Sequence, residues 1–551
     1  MKKWIKIILL HLISISICIA QNYSWPLDSP IVITGNYGEL RPNHFHAGID
    51  FSTGGKINKP VYVTASGYIS RIKVSETGYG KSIYITHPNG IVSVYAHLNS
   101  YNKTIGEIVV KKQYELKSYE IDFKLNPNEV KIFNKEIIGL SGNTGNSTGP
   151  HLHFELRDEK TETPLNVLNY FKVIDTVKPK LNAIVIYNLV DTTMPKIIAT
   201  LKIKKNKNNL LKLYKDTLTL RNNILGLGFS GFDLMRENGS INNIYGASVT
   251  LDNKLIYSHE LNNLSFSDQR YVNEFSEVYE QQKYQRCFLP TLFPKEMYPF
   301  YFRKGRIILT DTFVHEITLT VSDEVYNQSV LKFWIKAKKL QLYSPPTLRS
   351  NDFVDCTKDF LIQKNKLQIF IPAYTLFKST NLIFENTIER SGKLIILPSE
   401  ANLKSTSIVG FEVPKKYLSV KNKLILKSGV NTYVPININD SIFYSVKNFG
   451  WFQLNVDTTK PEIKLLYRIT KTKTQKNITS IDFKITDDGS GIGKYNLYIN
   501  DNWVLTEFDA KNDLLNYTIN NDTPVGEVKF RLEVEDKVKN INTLTFELNL
   551  K

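Results

Sequence analysis

Ser82-Ile-Tyr-Ile-Thr86-His-Pro-Asn-Gly90-Ile-Val-Ser-Val-Tyr95-Ala-His-Leu98 is the stretch that decides the fold class. Residues 82–86 and 91–96 are short alternating or apolar runs. Pro88-Asn89-Gly90 between them carries Asn-Gly, the strongest short hairpin signal. Two strands joined by a tight turn are expected, with His97 where the second strand ends. Runs of the same kind recur down the chain, as in Ile317-Thr-Leu-Thr-Val321, bounded by Gly, Asn, Asp and Pro. Helical periodicity is scarce, so the expectation is an all-β protein.

With 551 residues the chain is too long for one core, and about 150 residues per domain gives three or four domains. The formal charge of +17 raises nucleic-acid binding. Lys is spread along the whole chain without a dense basic tract or a nucleic-acid motif, so no nucleic-acid partner is expected. A basic surface equally suits an exported protein near an anionic envelope. Lys2, Lys3 and Lys6 precede an apolar stretch from Ile7 to Ala20, which is short for a membrane span. This is the layout of a secretory signal peptide over residues 1–20, with cleavage before Gln21. A retained signal anchor is the other reading; a lipoprotein anchored at Cys18 is disfavoured by Ile17. Periplasm, cell envelope or the extracellular space is the expected location. Beyond the signal only Cys287 and Cys356 remain, and both are expected to be buried and unpaired.

Two internal boundaries resemble each other. Asp175-Thr-Val-Lys-Pro179 and Asp457-Thr-Thr-Lys-Pro461 are near-copies, each leading into an apolar β-like run. Pro after a polar stretch favours an extended linker entering a strand. Ser230-Gly231-Phe232 and Ser490-Gly491-Ile492 look equivalent, each ahead of a tyrosine-bearing strand with Tyr245 or Tyr495. Turns follow at Asp252-Asn253 and Asp501-Asn502, and both segments close on Asp-x-x-x-Asn, at Asp323 to Asn327 and Asp536 to Asn540. Two β-sandwich modules of one type explain this repetition, and they look like bacterial immunoglobulin-like (Ig-like) domains. The expected division is 21–175, 176–338, 340–455 and 456–551, with the third a β domain of unread role.

Six of the nine histidines lie between residues 44 and 153: His44, His46, His87, His97, His151 and His153. His151-Leu-His153 opens an alternating run through Leu156 that should be a strand. Side chains at i and i+2 share a face, so the two imidazoles point together while Leu152 and Phe154 face the core. They could serve one metal, one as ligand and one beside the open position; an ordinary exposed pair is the other reading. In His46-Ala-Gly-Ile-Asp50 an imidazole and a carboxylate stand four residues apart, and Gly48 should let the backbone bend so that they converge. With His153 they make a His₂Asp set that suits Zn²⁺ and leaves a fourth position for water, the pattern of a catalytic site. His44 is a competing ligand, and His87 reads as a hairpin residue. The segment from Ser100 to Asn134 is polar and lysine-rich with β-like pieces; it reads as an extended hairpin that could wall the groove.

Gly35-Asn-Tyr-Gly-Glu-Leu-Arg41, His46-Ala-Gly-Ile-Asp50, Tyr95-Ala-His-Leu98, Gly139-Leu-Ser-Gly-Asn-Thr-Gly145 and Pro150-His-Leu-His-Phe-Glu155 occur in the order seen in the M23 peptidases, and residues 32 to 170 resemble that family. The resemblance implies an antiparallel β domain with one zinc in a groove floored by the sheet. It implies His46, Asp50 and His153 as ligands, His97 and His151 as non-ligating catalytic histidines, and peptidoglycan peptide bonds as substrate. The segment 100–134 departs from compact members as an insertion. His259-Glu260 and His315-Glu316 lack the second histidine of His-Glu-x-x-His, which excludes a thermolysin-like site. Two rival readings are a non-catalytic M23-like activator of cell-wall amidases, and an envelope scaffold or adhesion protein. The C-terminal β domains are candidates for contacts with envelope protein partners.

Overall fold

The computed structural model describes residues 22–340 and 352–550, apart from 128, 191–194, 207–209, 237, 238, 365 and 472–475. The signal peptide expected at 1–20 lies outside the described residues. Among those described, no helix is long and apolar enough to cross a membrane.

The chain is built overwhelmingly of antiparallel sheets. An eleven-stranded sheet comes first. Its main strands are β1 (Ile33–Gly35), β2 (Ile49–Ser52), β3 (Gly67–Val74), β4 (Lys81–Thr86), β5 (Ile91–Tyr101), β6 (Ile121–Lys124), β7 (Lys131–Ile132) and β8 (His151–Asp158). They run in the order β1-β2-β8-β5-β4-β3-β7, with β6 also on β3. The hairpin read from Asn89-Gly90 is β4–β5, and Gly90 takes the positive φ of 76° that such a turn demands. Tyr95, Leu152, Phe154 and Leu156 are fully buried on one face, as period-2 alternation requires.

The segment 100–134 is not an extended hairpin. It opens with a 14-residue helix, α1 (Lys103–Leu116), before β6 and β7 return the chain to β3. Ile105, Ile108, Val109 and Val110 gave the stretch its β-like look. Two local features outweigh that propensity. Asn102 caps the helix by accepting from the Ile105 amide at 2.9 Å, and Ile105, Val109 and Gln113, four apart, bury one stripe.

A thirteen-stranded sheet follows, from Lys180 to Ala337. Its core is continuous with that of the first sheet. Phe45 packs on Phe275 with ring centroids 5.7 Å apart, and the buried Tyr37 hydroxyl accepts from the Leu264 amide at 2.9 Å. Two five-stranded sheets then share one core between residues 360 and 456. The last two sheets, four strands each, face one another over Phe483 and Leu515 on one side and Leu497 and Phe530 on the other. Cys287 and Cys356 are both buried and unpaired.

The two related segments share a register. In the earlier one, β9 (Lys180–Asn188) pairs with β10 (Ile224–Phe232), and β11 (Gly246–Leu251) pairs with β12 (His315–Ser322), which pairs with β13 (Gln328–Ala337). In the later one the same places are taken by β14 (Glu462–Lys471), β15 (Lys476–Thr486), β16 (Ile492–Ile499), β17 (Gly526–Asp536) and β18 (Ile541–Leu550). The register corrects one equivalence. Lys180 pairs with Phe232 and Glu462 with Thr486, so Asp233 corresponds to Asp487. The Ser-Gly pairs do not correspond: Ser230 and Gly231 end β10, whereas Ser490 and Gly491 precede β16.

Candidate metal centre

β8 lies between β2 and β5, with His153 opposite Asp50 on one side and Ala96 on the other. Opposed residues of neighbouring strands share a face, so His153 and Asp50 project together, away from the apolar face carrying Leu152 and Phe154. His46 reaches the same point from the loop ahead of β2. Glycine at 48 serves close approach rather than a bend. A Cβ there would sit 2.2 Å from the Phe154 carbonyl oxygen, pushing β2 off β8.

Three atoms converge. His46 Nε2 and His153 Nδ1 are 2.9 Å apart, His153 Nδ1 and Asp50 Oδ1 3.0 Å, and His46 Nε2 and Asp50 Oδ1 3.1 Å. Zinc bonds of about 2.0–2.1 Å place tetrahedral ligand atoms about 3.3 Å from each other, so this triangle is close to ligand spacing. Each group is oriented from behind. His46 Nδ1 donates to the Asn36 carbonyl at 2.8 Å, His153 Nε2 meets Glu155 Oε1 at 2.8 Å, and Asp50 Oδ2 takes a bond from Arg41 Nη2 at 2.5 Å. Such partners fix the tautomer and turn the remaining lone pair to one point. The two-nitrogen, one-oxygen donor set fits zinc.

The charges agree. Burial disfavours a proton on His153, yet the hydrogen bonds it donates to Asp50 and Glu155 carry its pKa up to about 9. Burial likewise opposes ionisation of Asp50, but His46, His151 and His153 hold its carboxyl well below the usual carboxylate range. Arg157 and His153 outweigh burial at Glu155 and bring it down to about 2. The fully buried Glu155 is tied further by Arg157 Nε at 2.6 Å and the Tyr79 hydroxyl at 2.5 Å. Two carboxylates thus flank a site that favours positive charge, from a proton or from a metal.

His97 and His151 stand beside this triangle with ring centroids 4.8 Å apart. Alternation alone would send His97 to the face opposite Ala96, into the core with Tyr95. An extra residue in β5 prevents this: Ile83 pairs with Tyr95 but Lys81 with Leu98, and His97 takes a positive φ of 59°. A bulge of this kind re-aims one side chain, and here it delivers His97 to the groove. Both histidines donate Nδ1–H to a backbone carbonyl at 2.8 Å, of Thr144 and Gly149 respectively, leaving Nε2 for the groove. His151 Nε2 is buried without a hydrogen-bond partner, 3.5 Å from Asp50 Oδ1. A buried polar atom is rarely left unsatisfied, and this one faces the ligand cluster. Burial, with His153 and His151 close by, brings His97 down to about 3, so its ring is neutral near pH 7.

The other histidines sort clearly. His44 lines the groove but its Nδ1 turns back to the Pro42 carbonyl, and it is outside the converging trio. His87 is a satisfied interior histidine, bonded to the Ser66 carbonyl at 3.0 Å and Ser93 Oγ at 2.8 Å.

The groove holds about 880 Å³. No described residue of 100–134 lines it; Phe266 and Gln269 do, from the segment that follows the first sheet. Gln269 Oε1 accepts from the Phe45 amide, next to His46, at 2.8 Å, and Arg157 stacks over Phe266 at 4.5 Å. Sequence reasoning gives no role to Phe266 or Gln269, which lie far from every site motif along the chain. Arg41 and Glu155 lie inside quoted motifs, and their polar type beside a ligand was the available signal. Glu155→Gln is expected to weaken zinc affinity about 10–100-fold, read by competition with a chelator in protein whose folding is checked by circular dichroism. Unchanged affinity would reduce Glu155 to a partner of Arg157 alone.

Residues 44–114 match the model of Peptidase family M23. The match contains His46, Asp50 and His97 and ends before His151 and His153. The "DD-carboxypeptidase/endopeptidase Mpg" of Neisseria meningitidis serogroup B is 33% identical over 112 residues, 20% of this chain and 20% of that protein. The "Peptidoglycan DD-endopeptidase ShyA" of Vibrio cholerae is 31% identical over 138 residues, 24% of this chain and 26% of that protein. "Lysostaphin" of Staphylococcus staphylolyticus is 33% identical over 111 residues, 20% of this chain and 18% of that protein. The likeness therefore spans about a quarter or less of each relative's length. Over this stretch of its first β domain the chain is similar to peptidase family M23.

Proposed function

We propose that the chain is an exported zinc-dependent endopeptidase that hydrolyses peptide bonds in peptidoglycan. The observation that carries this reading is the triangle of His46 Nε2, Asp50 Oδ1 and His153 Nδ1, with His97 and His151 beside it. Bound zinc would supply Lewis acidity toward the scissile carbonyl and would lower the pKa of a coordinated water to about 7. His46, Asp50 and His153 would hold the ion. His97 and His151, each with Nδ1–H committed to a carbonyl, offer two Nε2 atoms: an unprotonated one to accept the proton of the attacking water, and the other, when its ring carries a second proton, to donate to the developing oxyanion. Lys2, Lys3, Lys6 and the apolar stretch to Ala20 support export. The similarity to a DD-carboxypeptidase/endopeptidase and a peptidoglycan DD-endopeptidase supports a peptide bond of peptidoglycan, in a stem-peptide cross-link or a bridge, as the substrate.

Full-length protein loaded with zinc should convert cross-linked muropeptides from purified peptidoglycan into uncross-linked ones, with the cut bond identified by mass spectrometry. Intact cross-links, with cleavage appearing only when an amidase is added, would support the activator reading instead.

A further inference from the structure

The near-copied motifs at residues 175 and 457 have no part in the chemistry above, yet the fold gives them one geometry. Asp175 and Asp457 each stand five residues before the first strand of their segment, β9 or β14. Asp233 and Asp487 each follow the strand that pairs with it, Asp323 follows β12 directly, and Asp536 is the last residue of β17. In both trios one carboxylate oxygen from each residue lies within 4.8 Å of the other two. The Asp-x-x-x-Asn motif builds the frame twice. Asn327 Nδ2 bridges the Asp175 carbonyl at 3.1 Å and Asp323 Oδ2 at 2.8 Å; Asn540 Nδ2 bridges the Asp457 carbonyl at 3.0 Å and Asp536 Oδ2 at 2.7 Å. Amides of Val325 and Asn327 hold Asp323 Oδ1, as those of Val538 and Asn540 hold Asp536 Oδ1.

An acidic cluster alone would say little; the unpaired oxygens say more. Asp233 is fully buried, and neither of its carboxylate oxygens has a hydrogen-bond partner. Oδ1 of Asp487 is likewise buried and unpartnered, while its Oδ2 accepts from the Gly489 and Gly491 amides. A Cβ on Gly489 would fall 2.2 Å from the Asp457 carboxyl group, so only glycine lets the loop wrap that close. Among the described residues no Lys, Arg or His forms an ion pair with any of the six aspartates. Burying an ionised carboxylate without compensation is costly. Burial and the neighbouring Asp323 and Asp175 raise Asp233 to about 7.

Oxygen-only donors of high negative charge suit a hard divalent cation rather than zinc. Calcium bonds of about 2.3–2.6 Å and its tolerance of irregular shells fit three carboxylates spread over this distance better than the strict octahedron of magnesium. We propose that each trio binds one calcium ion, Asp175, Asp233 and Asp323 in the first site and Asp457, Asp487 and Asp536 in the second. Each ion ties the linker that leads into a module to two loop ends of that module, stiffening the junction with the domain before it.

Calorimetric titration of the full-length, metal-stripped and zinc-restored protein with calcium chloride tests this. The native chain should take up two calcium ions with Kd on the order of 10⁻⁴ M, in the range of extracellular modules. Asp233→Asn and Asp487→Asn should each take up one, and the double variant none. Without calcium, Asp233→Asn should melt no lower than the native chain, because it removes a repelling charge; calcium should raise the melting temperature of the native chain and leave the double variant unmoved. Asp175→Asn, at a half-buried position, gives a second route to a one-site protein if Asp233→Asn does not fold. No uptake by the native chain up to about 10 mM calcium, tenfold above the weak end of that range, would overturn the proposal. So would two ions bound by the double variant.

Discussion

His153→Ala should remove zinc from the protein and take peptidoglycan hydrolysis down by more than about a thousandfold. His153 supplies one of the three atoms that form the triangle. The Glu155 and Asp50 contacts leave only its Nδ1 facing the site, and His44 is held by Pro42. Loss of a metal worth several kcal/mol of transition-state stabilisation, at about 1.4 kcal/mol per tenfold in rate, gives that magnitude. Zinc per chain by elemental analysis and muropeptide release are the two readouts. Asp50→Asn guards against a folding artefact, because it keeps the volume while removing the charge. It should also lose zinc. A His153→Ala protein that kept one zinc per chain would mean that the ligand set is wrong.

His151→Ala should behave differently: zinc retained near one per chain, with kcat/KM down by about 10²–10⁴, the span of general acid–base assistance. The reason is positional. His151 Nε2 is 3.5 Å from the ligand oxygen of Asp50 and outside the tight triangle, so its removal leaves three ligands in place. His97→Ala should fall in the same range. If the pair acts as a unit on one proton relay and one oxyanion, the double variant should lose much less than the product of the two single effects. A His151→Ala enzyme with normal kcat/KM would remove that residue from the mechanism, whereas loss of zinc would make it a ligand.

That His151 and His153 share a face is legible in the sequence, whereas which of them is the ligand is implied only by the resemblance to M23 peptidases. Alternation along Leu152 to Leu156 puts His151 and His153 on one face, and a Gly-rich loop ahead of them leaves the strand start open. The hairpin at Asn89-Gly90 and the burial of Tyr95, Phe154 and Leu156 follow from the same local rules. Local rules failed where two signals competed. α1 carries β-branched residues, but an Asn cap and a four-residue apolar spacing outweigh them. They failed again in matching the two modules, because Ser-Gly pairs look alike in sequence while register alone shows which residue follows which strand.

What the sequence determined by itself is whatever depends on spacing within one strand or one turn: the β class, the hairpin and the face shared by His151 and His153, beside the ordered motifs that resemble the M23 peptidases. The tertiary structure decided what depends on residues distant along the chain. It set Asp50 opposite His153, used a bulge to turn His97 out of the core, and brought Phe266 and Gln269 to the groove wall. It also gathered three aspartates into each of two clusters. Register and packing of separate elements fix these meetings, and neither leaves a local signature that a single strand can carry.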